Sequence, residues 1–412
     1  MMRAVRGTKD LLPSDFAIFK KIVNVVQKIS ERYGFENFAT PIFEYTKIFD
    51  RTLGETSDVV NKEMYTFVDR SGESVTLRPE FTAGIMRSVT GGLIHKLPMR
   101  LFSYGPIFRH DRPQTGRQRQ FHQINCEVLG EDSPESDAEI IKLGCDILLE
   151  LDLLKYSKLF VNSLGCVVSR ENFHIALKKY LLKYENELSY DSKLRLHKNP
   201  MRILDSKDIG DQKILESAPS IVDSYTDASK RRFDNVLNML SLFGVKFEIN
   251  VNLVRGLDYY CHTAFEFTTD RLGAQSTIIG GGRYDGLAKI MSKHDFPAIG
   301  FAGGIERMML MLPEEIYVNK TIAILSVNDE FVHDAYLLAS ELRNYGLRII
   351  VYTRGKIGRR IEKAVSSGSI IAIFVGENEV KSRRYKVKNL ESGVEDELLS
   401  SEIASKIGPL FL

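Results

Sequence analysis

Residues 101–130, LFSYGPIFRHDRPQTGRQRQFHQINCEVLG, constrain the fold more than any other part of the chain. They read as two strands joined by a long basic loop. Side chains alternate between the two faces of a strand. In the second strand Phe121, Gln123, Asn125 and Glu127 then share one face, and His122, Ile124, Cys126 and Val128 share the other. The second set suits a core. The first places an aromatic ring, two amides and a carboxylate in a row, with Arg109 at the end of the first strand close by. Two readings fit that row: the floor of a binding site, or an ordinary solvated face of an antiparallel sheet.

Hydrophobic periodicity lays out the elements around this hairpin. Apolar residues at three- and four-residue spacing predict a helix over 15–33, with Ser14 as N-cap and Gly34 as its stop. A short strand over 35–40 ends at Pro41, and 74–77 is a second strand. A helix follows over 137–151. Residues 169–243 are rich in Lys, Tyr, Leu and Asp with helical spacing, as in 173–184 and 229–243, and read as a helical insertion. Strand patterns return at 247–254 and 265–269. Residues 278–282 lead into GGGRYDG, where glycines at the end of a strand form either a turn or a floor for a ligand. A helix over 305–312 follows Gly300, Gly303 and Gly304 and is ended by Pro313. Beyond a linker at 314–320, strands at 321–327, 347–352, 370–375 and 385–390 alternate with helices at 330–345 and 356–367. That alternation predicts a small α/β domain with a largely parallel sheet.

Composition bounds the class. A chain of 412 residues has room for two or three domains. With 43% hydrophobic and 27% charged residues it reads as globular, with a real core. It contains neither an apolar run long enough to span a membrane nor a secretory h-region at its start. Cys126, Cys145, Cys166 and Cys261 are far apart and form no CxxC pair, so they predict reduced thiols in a cytoplasmic protein and no zinc site. The net charge of +2 points to no polyanion by itself. It is unevenly placed, because residues 354–388 carry ten Lys or Arg against three Glu. Such a cluster is either a phosphate-backbone footprint or a solvated face.

The remaining motifs carry chemistry. GGGRYDG is neither a P-loop nor a dinucleotide fingerprint. Arg109, Arg255 and Arg307 suit the charge of a polyphosphate. Arg255 stands beside Tyr259 and Tyr260 in VRGLDYY, and Arg307 enters a helix behind two glycines. Glu80, with Thr82 in TLRPEFT, and Glu127 suit a cationic or hydrogen-bonding small substrate. No nucleophilic serine elbow, catalytic cysteine signature or HExxH zinc site is present. From the residues alone, the chain reads as an ATP-using enzyme with an amine substrate and a candidate nucleic-acid domain.

The segments RGTKDLLP, TLRPE, FRHDRPQTGRQRQFHQ, NSLG, NPMRILDSK, LVRGLDYYCHTAFEF, GGGRYDGL and GFAGGIER together resemble the bacterial-type histidyl-tRNA synthetases, a class II aminoacyl-tRNA synthetase family. The resemblance runs nearly end to end. RGLDYY and GGGRYDG resemble the two histidine-specific motifs of that family. The resemblance implies an α+β catalytic domain over 1–318, its antiparallel class II sheet flanked by helices, with the helical insertion at 169–243 lying against the tRNA acceptor region. It implies an α/β anticodon-binding domain over 319–412. It also implies a cytoplasmic homodimer built partly from the first helix and the Pro41 segment. The implied partners are L-histidine, ATP and tRNA(His), with Mg2+ arriving on ATP and no zinc or organic cofactor.

Carried over by position, the family's roles fall as follows. Arg109 holds the α-phosphate and Arg307 the γ-phosphate, Arg117 sits on the loop that closes over ATP, and Phe121 stacks on adenine. Glu80, Thr82 and Gln123 hold the α-amino group. Glu127 and Tyr260 bond the imidazole, in a pocket lined by Tyr259 and Tyr284. Arg255 lies near the carboxylate and the α-phosphate, and Arg112 and Gln114 meet the acceptor end of the tRNA. One departure is visible: Phe81 follows Glu80 where glycine is frequent in the family, and alternation turns its side chain away from the amino acid. Two rival readings are a catalytically silent paralogue, such as the regulatory subunit of ATP phosphoribosyltransferase, and a class II synthetase for another amino acid.

Overall fold

The computed structural model describes residues 3–53, 60, 63–254, 259–273, 276–313 and 320–408. Sixteen strands are assigned among them: β1 Glu36–Asn37, β2 Phe43–Tyr45, β3 Tyr65–Val68, β4 Ser74–Leu77, β5 Met99–Phe108, β6 Gln120–Leu129, β7 Lys158–Ser163, β8 Glu248–Ile249, β9 Cys261–Thr268, β10 Thr277–Arg283, β11 Ala298–Gly304, β12 Thr321–Ser326, β13 Ile349–Tyr352, β14 Ser369–Val375, β15 Arg384–Asn389 and β16 Glu395–Leu399. The chain divides into two compact units, Met1–Pro313 and Glu314–Leu412.

The first unit is built on an eight-stranded sheet in the order β1-β5-β6-β11-β10-β9-β7-β8. Its six central strands are antiparallel. The two-residue edge strands β1 and β8 lie parallel to β5 and β7, so the sheet is mixed rather than antiparallel throughout. The predicted strands over 35–40 and 247–254 shrink to these two short edges. Strands β2, β4 and β3 form a separate antiparallel sheet.

The hairpin β5–β6 pairs in continuous register from Met99 with Leu129 to Phe108 with Gln120. Its apolar face is covered by the helix Pro13–Arg32, which buries Ile18, Phe19, Ile22, Val23, Val26 and Ile29. The Phe19 ring meets His122 edge-on at 4.9 Å, and Ser30 Oγ lies 3.5 Å from Cys126 Sγ. Ser14 is inside this helix instead of capping it. Pro13 occupies the first turn, where its missing N–H costs nothing, and Leu12 takes the cap position without a side-chain bond. The helix Pro134–Glu150 is capped by Ser133 Oγ, which accepts the Ser136 N–H, and buries Ile140, Ile141, Ile147 and Leu148.

Between β7 and β8 the described chain is helices and turns, with the helices Val167–Leu181, Tyr190–Lys198, Ile209–Leu215 and Asp227–Leu242. The second unit has its own sheet, ordered β13-β12-β14-β15-β16. The first three strands are parallel, and β15 and β16 add an antiparallel hairpin. Ile322, Ile324, Leu338, Leu342, Ile371 and Ile373 centre its core.

Candidate active site

The polar face of β6 lies between two strands that contribute almost no side chain above it. Directly opposite residues in an antiparallel pair share a face. On β11, Gly300 stands opposite Glu127, Ala302 opposite Asn125 and Gly304 opposite Gln123. On β10, Gly282 and Gly280 continue the same strip opposite Gly300 and Ala302. Small residues therefore keep a floor open over which the long side chains of β6 project. A Cβ on Gly300 would overlap Glu127 Oε2 and the Cys126 carbonyl. Gly280, Gly281 and Gly282 of GGGRYDG are thus interior to β10 and not a turn at its end: this run is a strand stripped of side chains, and only Gly286 lies beyond it.

This floor opens into a cleft with about 1310 Å³ of empty space, continuous with solvent. Glu80, Thr82, Arg109, Arg117, Phe121, Gln123, Glu127, Tyr259, Tyr260, Tyr284 and Arg307 all border it.

At the closed end, Glu127 is buried and both its oxygens accept hydrogen bonds. Oε1 accepts from Thr82 Oγ1 at 2.6 Å and from Asn125 Nδ2 at 2.9 Å, and Oε2 accepts from the Tyr284 hydroxyl. Burial pushes its pKa up to about 7, the nearby Glu80 adds to the rise, and the three donors hold it back. Tyr259, Tyr260 and Tyr284 form an aromatic corner around it, with ring centroids 4.7 to 6.4 Å apart. Glu80 caps the helix Thr82–Ser88, accepting the N–H groups of Thr82 at 2.6 Å and Ala83 at 2.8 Å. Burial raises its pKa, and those two N–H groups oppose the rise.

The other end is cationic. Arg109 Nε donates to the Pro79 carbonyl at 2.9 Å, and its guanidinium carbon lies 5.5 Å from the Phe121 ring centroid. Arg307 donates to the carbonyls of Gly116 at 3.0 Å and Thr277 at 2.5 Å. Arg117 pairs with Asp111, and with Glu63 at 3.2 Å. Burial lowers the pKa of Arg307, and the like charges of Arg109 and Arg117 lower it further. Three guanidinium groups gathered at one end of a cleft make an arrangement that suits a polyanion.

A histidyl-tRNA synthetase family model matches residues 7–308, and an anticodon-binding-domain model matches residues 321–408. The chain belongs to the histidyl-tRNA synthetase family. It is 50% identical over 392 residues to the histidine–tRNA ligase of Rickettsia bellii, covering 95% of this chain and 94% of that one. It is 48% identical over 412 residues to the histidine–tRNA ligase of Orientia tsutsugamushi, covering 98% and 97%. The apo histidyl-tRNA synthetase structure from S. aureus superposes with a TM-score of 0.82 at 33% identity, over 98% of this chain and 99% of that one.

Within this synthetase fold, the expected tRNA-contacting residues Arg112 and Gln114 are exposed and do not themselves border the cleft, although Gln114 pairs through its backbone with Arg117, which does. Arg255 falls outside the described residues. Phe81 is buried beneath Arg78, whose guanidinium carbon lies 4.2 Å from its ring centroid, although the residue also borders the cleft. Two residues that hold the cleft's lining in place escaped sequence reasoning. Glu306 accepts the His122 backbone N–H at 2.8 Å and meets His122 Nδ1 at 2.7 Å, tying the short helix Ile305–Met309 that carries Arg307 to β6. Arg283, fully buried, bonds Asp137, Asp285 and the Glu131 carbonyl, and so anchors the residue before Tyr284. The only available signal for these was their position next to Arg307 and Tyr284 in motif segments.

Proposed function

We propose that this chain is a histidine–tRNA ligase. It activates L-histidine with Mg·ATP to histidyl-adenylate, releasing pyrophosphate, and transfers the histidyl group to the 3′ end of tRNA(His), releasing AMP. The observation that carries this reading is one cleft with a buried, three-donor carboxylate at one end and three arginines at the other.

The chemistry follows from that polarity. A histidine imidazole offers an N–H and a lone pair, and needs a partner for each. Glu127 Oε2 keeps acceptor capacity for the N–H, and a Tyr260 hydroxyl suits the other nitrogen. Glu80, Thr82 and Gln123 line the route to the α-ammonium group. The substrate carboxylate then attacks the α-phosphorus as the α–β phosphoanhydride bond breaks. This step needs alignment and charge neutralisation more than a base. Arg109 is assigned to the α-phosphate, Arg307 to the γ-phosphate and Phe121 to the adenine ring, with Arg117 on the closing loop. Arg255 is assigned to the reacting carboxylate and phosphate on its motif alone.

Among the described residues no group of three or more His, Cys, Asp or Glu side chains converges on a metal position. Mg2+ binds through one or two carboxylates plus substrate phosphates. The cleft matches that pattern, with the Glu266 carboxylate bordering its Arg307 end. Glu266 would hold Mg2+ carried in on ATP, and the ion would supply charge neutralisation at the phosphates.

Histidine-dependent ATP–pyrophosphate exchange tests the reading. The expected result is exchange with histidine that vanishes without Mg2+, followed by charging of tRNA(His). No exchange would sink the enzyme reading, and exchange with a different amino acid would move the chain to another specificity.

A homodimer is the assembly this reading carries. Its support is a run of exposed apolar side chains, Ile42, Phe43, Tyr45, Phe67 and Val68, on or beside the β2-β4-β3 sheet. Sedimentation equilibrium should give twice the mass of one chain, and a monomer at micromolar concentration would remove the proposal. A cytoplasmic location fits four free cysteines and the lack, among described residues, of any helix able to cross a membrane. Cell fractionation checks it.

A further inference from the structure

Asn125 is 1% exposed, borders the cleft and sits between Gln123 and Glu127 on the polar face of β6. Its Nδ2 donates to Glu127 Oε1 at 2.9 Å and points toward the Phe301 carbonyl at 3.4 Å. Two acceptors around one nitrogen settle the amide orientation. Turning the amide over would set Oδ1 against both of them. Its Oδ1 is buried with no hydrogen-bond partner among the described residues, which a freely chosen core residue would not leave.

The other two donors to Glu127 differ in kind. Thr82 and Tyr284 are hydroxyls, and either can rotate its proton away and accept instead. They serve a protonated Glu127 as well as an ionised one. Asn125 cannot reverse. It bonds the ionised carboxylate more strongly than the neutral acid and so favours the charged form, in which Oε2, shared with Tyr284, carries no proton and can accept from a ligand.

We propose that Asn125 is a positioning residue for substrate recognition: its irreversible donor keeps Glu127 an acceptor and so selects a ligand that brings an N–H to Oε2. This rests on the cleft being the histidine site. The ionisable groups that face Glu127 are Glu80, before the helix Thr82–Ser88, and the phenols Tyr259, Tyr260 and Tyr284, at the β9 and β10 ends. On β11 its opposite residue is Gly300, which carries no charge. Glu80 and the phenols disfavour the carboxylate or favour it only through a hydroxyl. Asn125 therefore tips a balance that burial has already moved to about pH 7.

The test is the pH dependence of histidine binding to the full-length protein by titration calorimetry, in wild type, Asn125→Leu and Asn125→Asp. The ligand's own imidazole and amine titrate identically in all three, so differences between the profiles belong to the protein. The acid limb should move up by about one pH unit in Asn125→Leu, the worth of one hydrogen bond to a charged group. It should move further in Asn125→Asp, which sets a second carboxylate against Oε1. Mg·ATP binding should stay within about threefold of wild type, since the variant leaves the arginine end intact. An equal loss of histidine affinity at every pH, or an unmoved acid limb, would overturn the proposal while leaving the histidine site standing. Wild-type protein that binds no histidine would remove both. Thermal melts exclude misfolding, and the isosteric Asp variant decides if the Leu variant does not fold.

Discussion

Glu127→Gln is expected to abolish histidine activation and at the same time to stabilise the ligand-free fold. The activity loss follows from the site: an amide in place of a carboxylate removes the charge that receives the ligand N–H, and histidine-dependent exchange should fall by at least about 10³-fold. The stability gain follows from proton linkage. Burial lifts the Glu127 pKa from its ordinary 4.5 to about 7. Between those values the folded state holds more protons than the unfolded state, so stability falls as pH rises through that window. Above it the ionised carboxylate costs about 3 kcal/mol, at about 1.4 kcal/mol per pKa unit. Glutamine avoids this cost and keeps the same partners, with its oxygen accepting from Thr82 and Asn125 and its NH2 donating to Tyr284. At pH 8 the variant should melt several degrees above wild type, and near pH 4 the difference should disappear. A Gln variant that melts below wild type at pH 8, or that retains exchange, contradicts the role given to this carboxylate.

That trade-off bears on what a sequence makes visible. The alternation in 120–129 showed which side chains share a face, because strand periodicity is local. It left open whether that face met water or a ligand. The answer depends on Gly300, Ala302 and Gly304, some 175 residues further on and opposite Glu127, Asn125 and Gln123. Glycine is ordinarily a signal for a turn, which is why GGGRYDG reads as the end of a strand. Here Gly280, Gly281 and Gly282 lie within β10, and pairing with β11 and β9 explains them. The same limit hid the His122–Glu306 tie, which spans 184 residues. It also hid Asn125, whose meaning arises once Thr82 and Tyr284 converge on Glu127. Local errors had local causes. Proline displaced Ser14 from the cap, and β16 escaped notice because Glu395, Asp396 and Glu397 make an exposed edge strand look like a loop. Helical spacing over 15–33, 229–243 and the tail came through well, since an apolar stripe repeating every three or four residues has few other uses.

The arginine end supplies the second large effect. Arg109→Ala should lower exchange by about 10³-fold, or about 4 kcal/mol, with melting temperature within a few degrees of wild type. The fold is spared because Arg109 makes one neutral hydrogen bond, to Pro79, and is itself desolvated, with burial depressing its pKa against the pull of Glu63 and Glu80. Function is not spared, for two reasons. The Nε bond to Pro79 spends one nitrogen on aim and leaves the terminal pair to receive a phosphate oxygen. Arg109 also favours the ionised form of buried Glu80, so its loss raises the Glu80 pKa further and weakens the hold on an ammonium group. Both kcat and the KM for histidine should therefore suffer, which a pure ATP-binding defect would not produce. Arg109→Lys should recover no more than about tenfold, because an ammonium cannot keep the Pro79 bond, lie against Phe121 and reach the phosphate together. Combining Arg109→Ala with Glu80→Gln separates the two causes, since the double variant should lose less than the sum of the singles. Strict additivity would show that Arg109 acts on the phosphate alone, and wild-type exchange in Arg109→Ala would remove it from the reaction.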